Sequence, residues 1–420
     1  MLISKATLKD LSFVGNDTEG NLLNLIDRCN TYVGRNILLK QIAKSPSSFE
    51  LLKAQQDVVR FWMNHPSYWS SEISNGTIVM LEKFFESADS YSSQPSGLLS
   101  GKLFQKIFNR NEYHFTQFSL SHLSDFLKGC RSFTNILQQE KELPQMLFDA
   151  LTEMATLLEH RLSKDIININ KDSPFKTVAQ LSFHARREMK SCVHQLIQLY
   201  ASLDVWHGMA TASREHNWQF PTIVNQNKVC LFANGLYHPL LKNAVRYNLS
   251  FTEGANFMIL TGANMSGKTT LMRALGISAI LAHLGMAVPA DEMTISYLDS
   301  VITNMHVEDD LLKGESFFLA EVKSIKHTAE SIAQNNAQLV LMDELFKGTN
   351  VHDACECTKA IVEGLLQHPN NLMILSTHLH EVAHHFNNHK GLVFYCFHTT
   401  LSQEGNFEFN YQLQEGISDE

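Results

Sequence analysis

The segment Gly262-Ala263-Asn264-Met265-Ser266-Gly267-Lys268-Thr269 has the spacing G-x-x-x-x-G-K-[ST], directly follows the apolar run FMILT and opens a helical pattern. In that setting the pattern reads as a phosphate-binding loop. Glycines let successive N–H groups turn toward an anion, and the helix N-terminus adds its dipole. Lys268 is expected to neutralise the β- and γ-phosphates of a nucleotide, with Thr270 behind it in the first turn, and Thr269 to ligate Mg²⁺ through its hydroxyl. About 75 residues later the apolar run Leu339-Val340-Leu341-Met342 ends in Asp343-Glu344. Asp343 at a strand tip suits Mg²⁺, and Glu344 beside it suits the orientation and activation of an attacking water. A third run, LMILST, carries His378 at its end, within reach of the γ-phosphate or the lytic water. The chemistry implied is hydrolysis of ATP with Mg²⁺.

These three tips converge only if their strands lie side by side. After Pro221, short β-rich runs alternate with helical patterns: FMILTG, ITN, QLVLMD, LMILSTH, GLVFYCF and FEFNYQL. That order predicts an α/β domain with a largely parallel sheet, closed by antiparallel strands at its end. Ligands of such sheets bind at the carboxyl ends of the strands. Up to about residue 215 the pattern is helical. Pro144 precedes a stripe of Leu147, Leu151, Met154, Leu158 and Leu162, and a later stripe joins Met189, Val193, Leu196, Tyr200 and Leu203. Both read as helix-on-helix core. The polar stretch Ser87–Ser96 reads as a loop.

The seven cysteines form no C-x-x-C pair and no ladder with histidines, so neither a disulfide framework nor a zinc site is expected. The opening residues lack a signal-peptide pattern and no apolar run is long enough to span a bilayer, which points to the cytoplasm. A formal charge of −9 opposes nucleic-acid binding unless a local basic surface overrides it.

The segment TGANMSGKTTLMRALGISAILAHLGMAVPA resembles the P-loop and following helix of the MutS family of DNA mismatch-repair ATPases. DSVITNMHVEDDLLKGESFFLAEV resembles that family's signature stretch, with Gly314, Ser316, Phe318 and Glu321 in matching positions. DELFKGTNVHDA is similar to the pattern DE-L-G-R-G-T, and STHLHE to A-T-H-x-x-E. Upstream, LDVWHGMA, the cluster of Asn217, Trp218 and Pro221, and Tyr237-His238-Pro239 extend the resemblance. The stretch from Asn21 to Ile42, with Leu25, Asp27, Gly34 and Arg35 in register, looks like the opening of the family's core domain.

The resemblance implies an α/β P-loop NTPase of the ABC type over residues 216–420, preceded by an all-α core and lever domain over 1–215. It implies a homodimer in which Ser316, and Asp353 after the paired carboxylates, reach the nucleotide of the partner subunit. It also implies DNA as the ligand, in a branched or distorted form, because mismatch-reading, connector and clamp segments are not recognised. The segment holding Tyr237, His238 and Val245 is expected to approach the adenine. Lys347 stands where the family has arginine, Phe317 where it has threonine, and TNMH where it has T-R-x-G; the chain ends at YQLQEGISDE, where relatives continue into a dimerising tail. The alternative is a nucleotide-gated dimeric module that acts on a protein partner. Loss of catalysis is disfavoured by the presence of Lys268, Thr269, Asp343, Glu344 and His378.

Overall fold

The computed structural model describes all residues except 15–19, 70–72, 87–109, 171–172, 227–228, 252–253, 306–316, 335–336, 402–406 and 419–420. The chain divides into two compact units. One comprises Met1–Ile26, Lys40–Gln56 and Ala212–Glu420; the other comprises Asp27–Leu39 and Asp57–Thr211. One boundary follows Ile26, and the others fall inside the helices Tyr32–Ala43, Phe49–Asn64 and Lys190–Glu215.

In the first unit the strands are β1 (Leu2–Ile3), β2 (Thr222–Val224), β3 (Leu231–Leu236), β4 (Tyr247–Ser250), β5 (Phe257–Gly262), β6 (Glu292–Ser296), β7 (Ser300–Asn304), β8 (Gln338–Asp343), β9 (Leu372–Thr377), β10 (Leu392–Leu401) and β11 (Phe407–Glu415). A seven-stranded sheet runs β1-β7-β8-β9-β5-β10-β11. Its pairs are parallel except β10 with β11. This agrees with the parallel sheet and antiparallel closure expected from the sequence. β5, β8 and β9 are buried at every position, which is why they read as unbroken apolar runs. A second sheet, β2-β6-β3-β4, has no counterpart in the sequence reading.

β1 was also not anticipated. Leu2 and Ile3 pair with Ser300 and Val301 at the outer edge of the large sheet. The helix Lys5–Asp10 follows, and its buried Asp10 accepts from Thr303 Oγ1 at 2.6 Å.

The helix Lys268–His283 follows β5 and is buried along most of its length. At its end, His283 Nδ1 donates to Ala279 O (2.7 Å) and Nε2 accepts from the backbone N–H of Leu298 (2.8 Å), which leads into β7. That pattern fits a neutral imidazole, and burial pushes its pKa down from 6.5 to about 4.

The second unit is helical, with Arg110–Thr134, Gln145–Leu158 and most of Lys190–Glu215 among its longer helices. Trp62, Phe126, Phe133 and Tyr200 lie fully buried within it. Asp204 is buried too, and it receives the N–H and side-chain amide of Asn30 (2.8 and 3.1 Å) and the N–H and hydroxyl of Thr31 (2.9 and 2.7 Å). Gly34 lies so close to this carboxylate that an added Cβ would collide with it. Asp27 pairs with Arg35 at 3.1 Å.

The helix expected over Leu147–Leu162 ends at Leu158. His160 Nδ1 accepts the N–H of Leu162 at 3.3 Å, a local bond that replaces the helical ladder. Met189 closes a one-turn π-helix, Ala185–Met189, immediately before Lys190–Glu215, and still faces the core. The stretch Ser87–Ser96 lies outside the described residues. No described helix is long and apolar enough to cross a membrane, and all seven cysteines are free thiols.

His283 makes stability depend on pH. Its folded pKa lies below its unfolded one, so its contribution is complete above about pH 6.5 and drains as pH falls toward about 4. The slope is ~1.4 kcal/mol per pH unit for one fully linked group. Urea midpoints across that window should fall less steeply for His283→Gln than for the wild type. His238, also pushed to about 4 by burial and by Arg273, remains in both proteins.

Candidate functional site

The carboxyl ends of β5, β8 and β9 lie side by side, with residues 258–261 in register with 374–377 and residues 372–376 with 339–343. A cavity of about 540 Å³ opens there, lined by the loop 264–270, by Asp343, Glu344 and Lys347, and by a side wall of Leu241, Asn243, Val245, Tyr247 and Tyr411.

The loop takes its shape from two glycines with positive φ, Gly262 at 142° and Gly267 at 111°. At Gly262 a Cβ would lie 2.9 Å from Phe397 O and 3.1 Å from Ser266 Oγ, so only glycine fits between β10 and the returning loop. Met265 occupies the left-handed region at φ 66° and is 83% exposed. Gly267 caps the helix Lys268–His283, whose first N–H groups are thereby turned to the cavity side of the loop.

Lys268 is 4% exposed, and its Nζ donates to Gly262 O (2.8 Å) and Ala263 O (3.0 Å). Burial lowers its pKa, and the carboxylates of Glu344 and Asp343 oppose that shift. Thr269 Oγ1 donates to Asp343 Oδ2 at 2.8 Å. The other oxygen of Asp343 accepts from Ser376 Oγ at the end of β9. Glu344 has φ 53°, and its N–H donates to Ser376 O at 3.0 Å. Its carboxylate is 16% exposed, with Oε1 3.5 Å from Lys268 Nζ and 3.7 Å from His378 Nδ1. Oε2 lies 3.6 Å from Lys347 Nζ.

The structure therefore brings Lys268, Thr269, Asp343, Glu344 and His378 together, with His378 half exposed behind the glutamate. Asp353 stands apart, on the first turn of the helix Val351–Leu365. Its N–H donates to Asn350 Oδ1 (3.0 Å) and its carboxylate accepts from Asn350 Nδ2 (2.6 Å). Ser316 and Gly314 lie outside the described residues. The helix that follows them, Phe317–Ile332, buries Ile325 and Ile332 but leaves Phe318, Leu319 and Val322 exposed. Its apolar stripe is thus covered only in its second half.

Of the segment expected near the base, Val245 lines the cavity. Tyr237 instead stacks under the Arg246 guanidinium at 4.9 Å. Tyr247 and Tyr411 were missed by the sequence reading. Tyr411 reaches the loop only because β11 folds back on β10, which no local spacing reveals.

The family model of MutS domain V matches residues 258–420. The chain is 30% identical over 221 residues to the DNA mismatch repair protein MutS of Halalkalibacterium halodurans, covering 50% of this chain and 25% of that protein. It is 31% identical over 235 residues to that of Leuconostoc citreum, covering 54% and 27%. For Petrotoga mobilis the figures are 32% over 220 residues, 51% and 26%. The chain spans about a quarter of the length of these curated relatives.

The glycine at the mouth of the loop can be tested by substitution. Gly254 also has positive φ, at 85°, but an added Cβ there would meet nothing within 4 Å. Gly254→Ala should cost about 1–2 kcal/mol from backbone strain alone. Gly262→Ala adds the collision with Phe397 O, so its denaturant midpoint should fall distinctly further.

Proposed function

We propose, from the premise that residues 258–420 are a MutS domain V, that this cavity is a P-loop nucleotide site binding ATP with Mg²⁺ and hydrolysing it. The observation that carries the proposal is the meeting of Lys268, Thr269, Asp343 and Glu344 around one 540 Å³ cavity at the ends of parallel strands. Ser266 Oγ adds support, being buried beside the loop without a hydrogen-bond partner among the described residues.

Residues 262–270 would wrap the phosphates through their N–H groups, and Lys268 would bind between the β- and γ-phosphates. Thr269 and Asp343 suit Mg²⁺, which takes hard oxygen donors and commonly only one or two from protein, with phosphate and water completing the shell. When bound, the ion supplies neutralisation of the charge on the β- and γ-phosphates. Glu344 would orient a water and take its proton as the water oxygen bonds to the γ-phosphorus. The bond from that phosphorus to the β–γ bridging oxygen breaks, and ADP and inorganic phosphate leave. His378 would stabilise Glu344 or the terminal phosphate. The side wall of Leu241, Val245 and Tyr411 would hold the base.

By the same family reading the molecule acts as a homodimer, with Ser316 and Asp353 directed to the partner subunit's nucleotide. Exposed Met265, Phe318, Leu319, Val322 and Val351 support a surface that a second copy would cover. The helical region before residue 215 would serve as the lever, and DNA as the ligand. The net charge of −9 favours a second reading, in which the lever engages a protein.

Steady-state ATP hydrolysis separates these readings. Glu344→Ala should lower kcat by about 10²- to 10⁴-fold while leaving nucleotide binding intact. Rates measured with homoduplex, mismatched duplex and four-way junction DNA across a salt series should show stimulation or inhibition that fades with salt. Turnover that depends on Glu344 yet ignores every DNA would remove DNA as the ligand and favour a protein partner.

A further inference from the structure

The carboxylate of Glu344 has no short hydrogen bond from any side chain among the described residues; it is suspended among three groups at 3.5 to 3.7 Å. Two of them, Lys268 and His378, address Oε1. Lys347 alone addresses Oε2, and it also lines the cavity. A carboxylate held on one oxygen can still swing about its terminal bond, whereas holding both sets its plane.

Lys347 reaches back over Glu344 because the chain turns sharply between them, with Glu344 at φ 53° and Phe346 at φ 62°. Such left-handed non-glycine residues are strained and persist only where surrounding contacts fix them. The contact that fixes this turn comes from another helix. Glu321, 5% exposed on Phe317–Ile332, accepts the N–H of Lys347 through Oε1 at 3.3 Å, and the amides of Gly348 and Phe346 also face its carboxylate. Its Oε2 is buried without a hydrogen-bond partner. Burial pushes the Glu321 carboxyl up, so removing its few N–H donors would leave it poorly compensated. Phe318, one turn earlier, lies against Phe346 with ring centroids 6.0 Å apart. The helix thus grips the turn at two points.

We propose that Lys347 is a positioning residue of the hydrolytic site, fixing the second oxygen of Glu344 while Glu321 holds its backbone from behind, so that the helix Phe317–Ile332 sets the aim of the base. The inference rests on the ATPase reading and assigns Lys347 a role within one subunit. It differs from a phosphate-binding role, which would change nucleotide affinity, and from a rim ion pair, which would change almost nothing. A misaimed base lowers turnover with little effect on binding.

The test is steady-state ATP hydrolysis and equilibrium binding of a fluorescent ATP analogue by the full chain. The variants are Lys347→Met, Lys347→Arg, Glu321→Ala, Glu321→Gln and the double variant Lys347→Met with Glu321→Ala. Thermal melting of each shows that it is folded. Lys347→Met should lower kcat by about 10- to 100-fold with less than about a threefold change in affinity, and Lys347→Arg should recover most of the loss. Glu321→Ala should lower kcat in the same way, with Glu321→Gln, which keeps one carbonyl acceptor, losing less. The double variant should be no worse than Lys347→Met, because both act through one contact. Lost affinity at unchanged kcat, additive losses in the double variant, or no effect at Lys347 would each overturn the proposal. If the wild type itself shows no turnover beyond Glu344→Ala, the ATPase reading fails first and takes this proposal with it.

Discussion

Asp343 ends β8 only 8% exposed, and a carboxylate so placed is costly unless its oxygens are hydrogen-bonded. Thr269, on the first turn of the helix after β5, supplies one hydroxyl, and Ser376, at the end of β9, supplies the other. Both oxygens of the carboxylate therefore keep their partners only while three neighbouring strands hold their register. The next residue inherits that restraint, since the N–H of Glu344 is spent on Ser376 O and its side chain is thrown toward Lys268. The cavity, the turn that follows it and the grip of Glu321 all depend on this one buried group.

The helical unit solves the same problem with Asp204, whose four donors come from two consecutive residues, Asn30 and Thr31. Burial raises the Asp204 carboxyl, and these bonds oppose the rise. A buried, hydrogen-bonded carboxylate is thus a structural device in both units, and the cavity beside Asp343 makes that one a candidate for chemistry.

What the sequence made legible follows from locality. Asp343 and Glu344 sit at the end of β8, and Lys268 and Thr269 follow β5 across one short glycine-bounded loop, so a buried apolar run and the polar residues after it located each of them. Of the side wall Val245 was expected, but Tyr247 and Tyr411 were not, because they meet the loop through pairings of β4 and β11 distant in sequence. The spacing of Phe318, Val322, Ile325 and Ile332 marks an apolar face on the helix Phe317–Ile332. It could not show that Phe318 and Val322 stay uncovered, since periodicity records which side is apolar and not what packs on it. Asp353 follows the paired carboxylates in the chain, and its bonds to Asn350 are those of a helix cap.

The two-residue strand β1 was invisible for a related reason: Leu2 and Ile3 are too few to make a pattern, and their partner lies almost 300 residues away. Its position has a practical side. An outer strand presents a row of unpaired N–H and C=O groups that invites other chains to pair with it, and short edge strands are one way proteins limit that exposure. Here the first residues shield β7, a longer and more buried strand. Trimming the start of the chain, or forcing a bulky fusion against it, would bare that strand and turn a closed edge into a template for self-association.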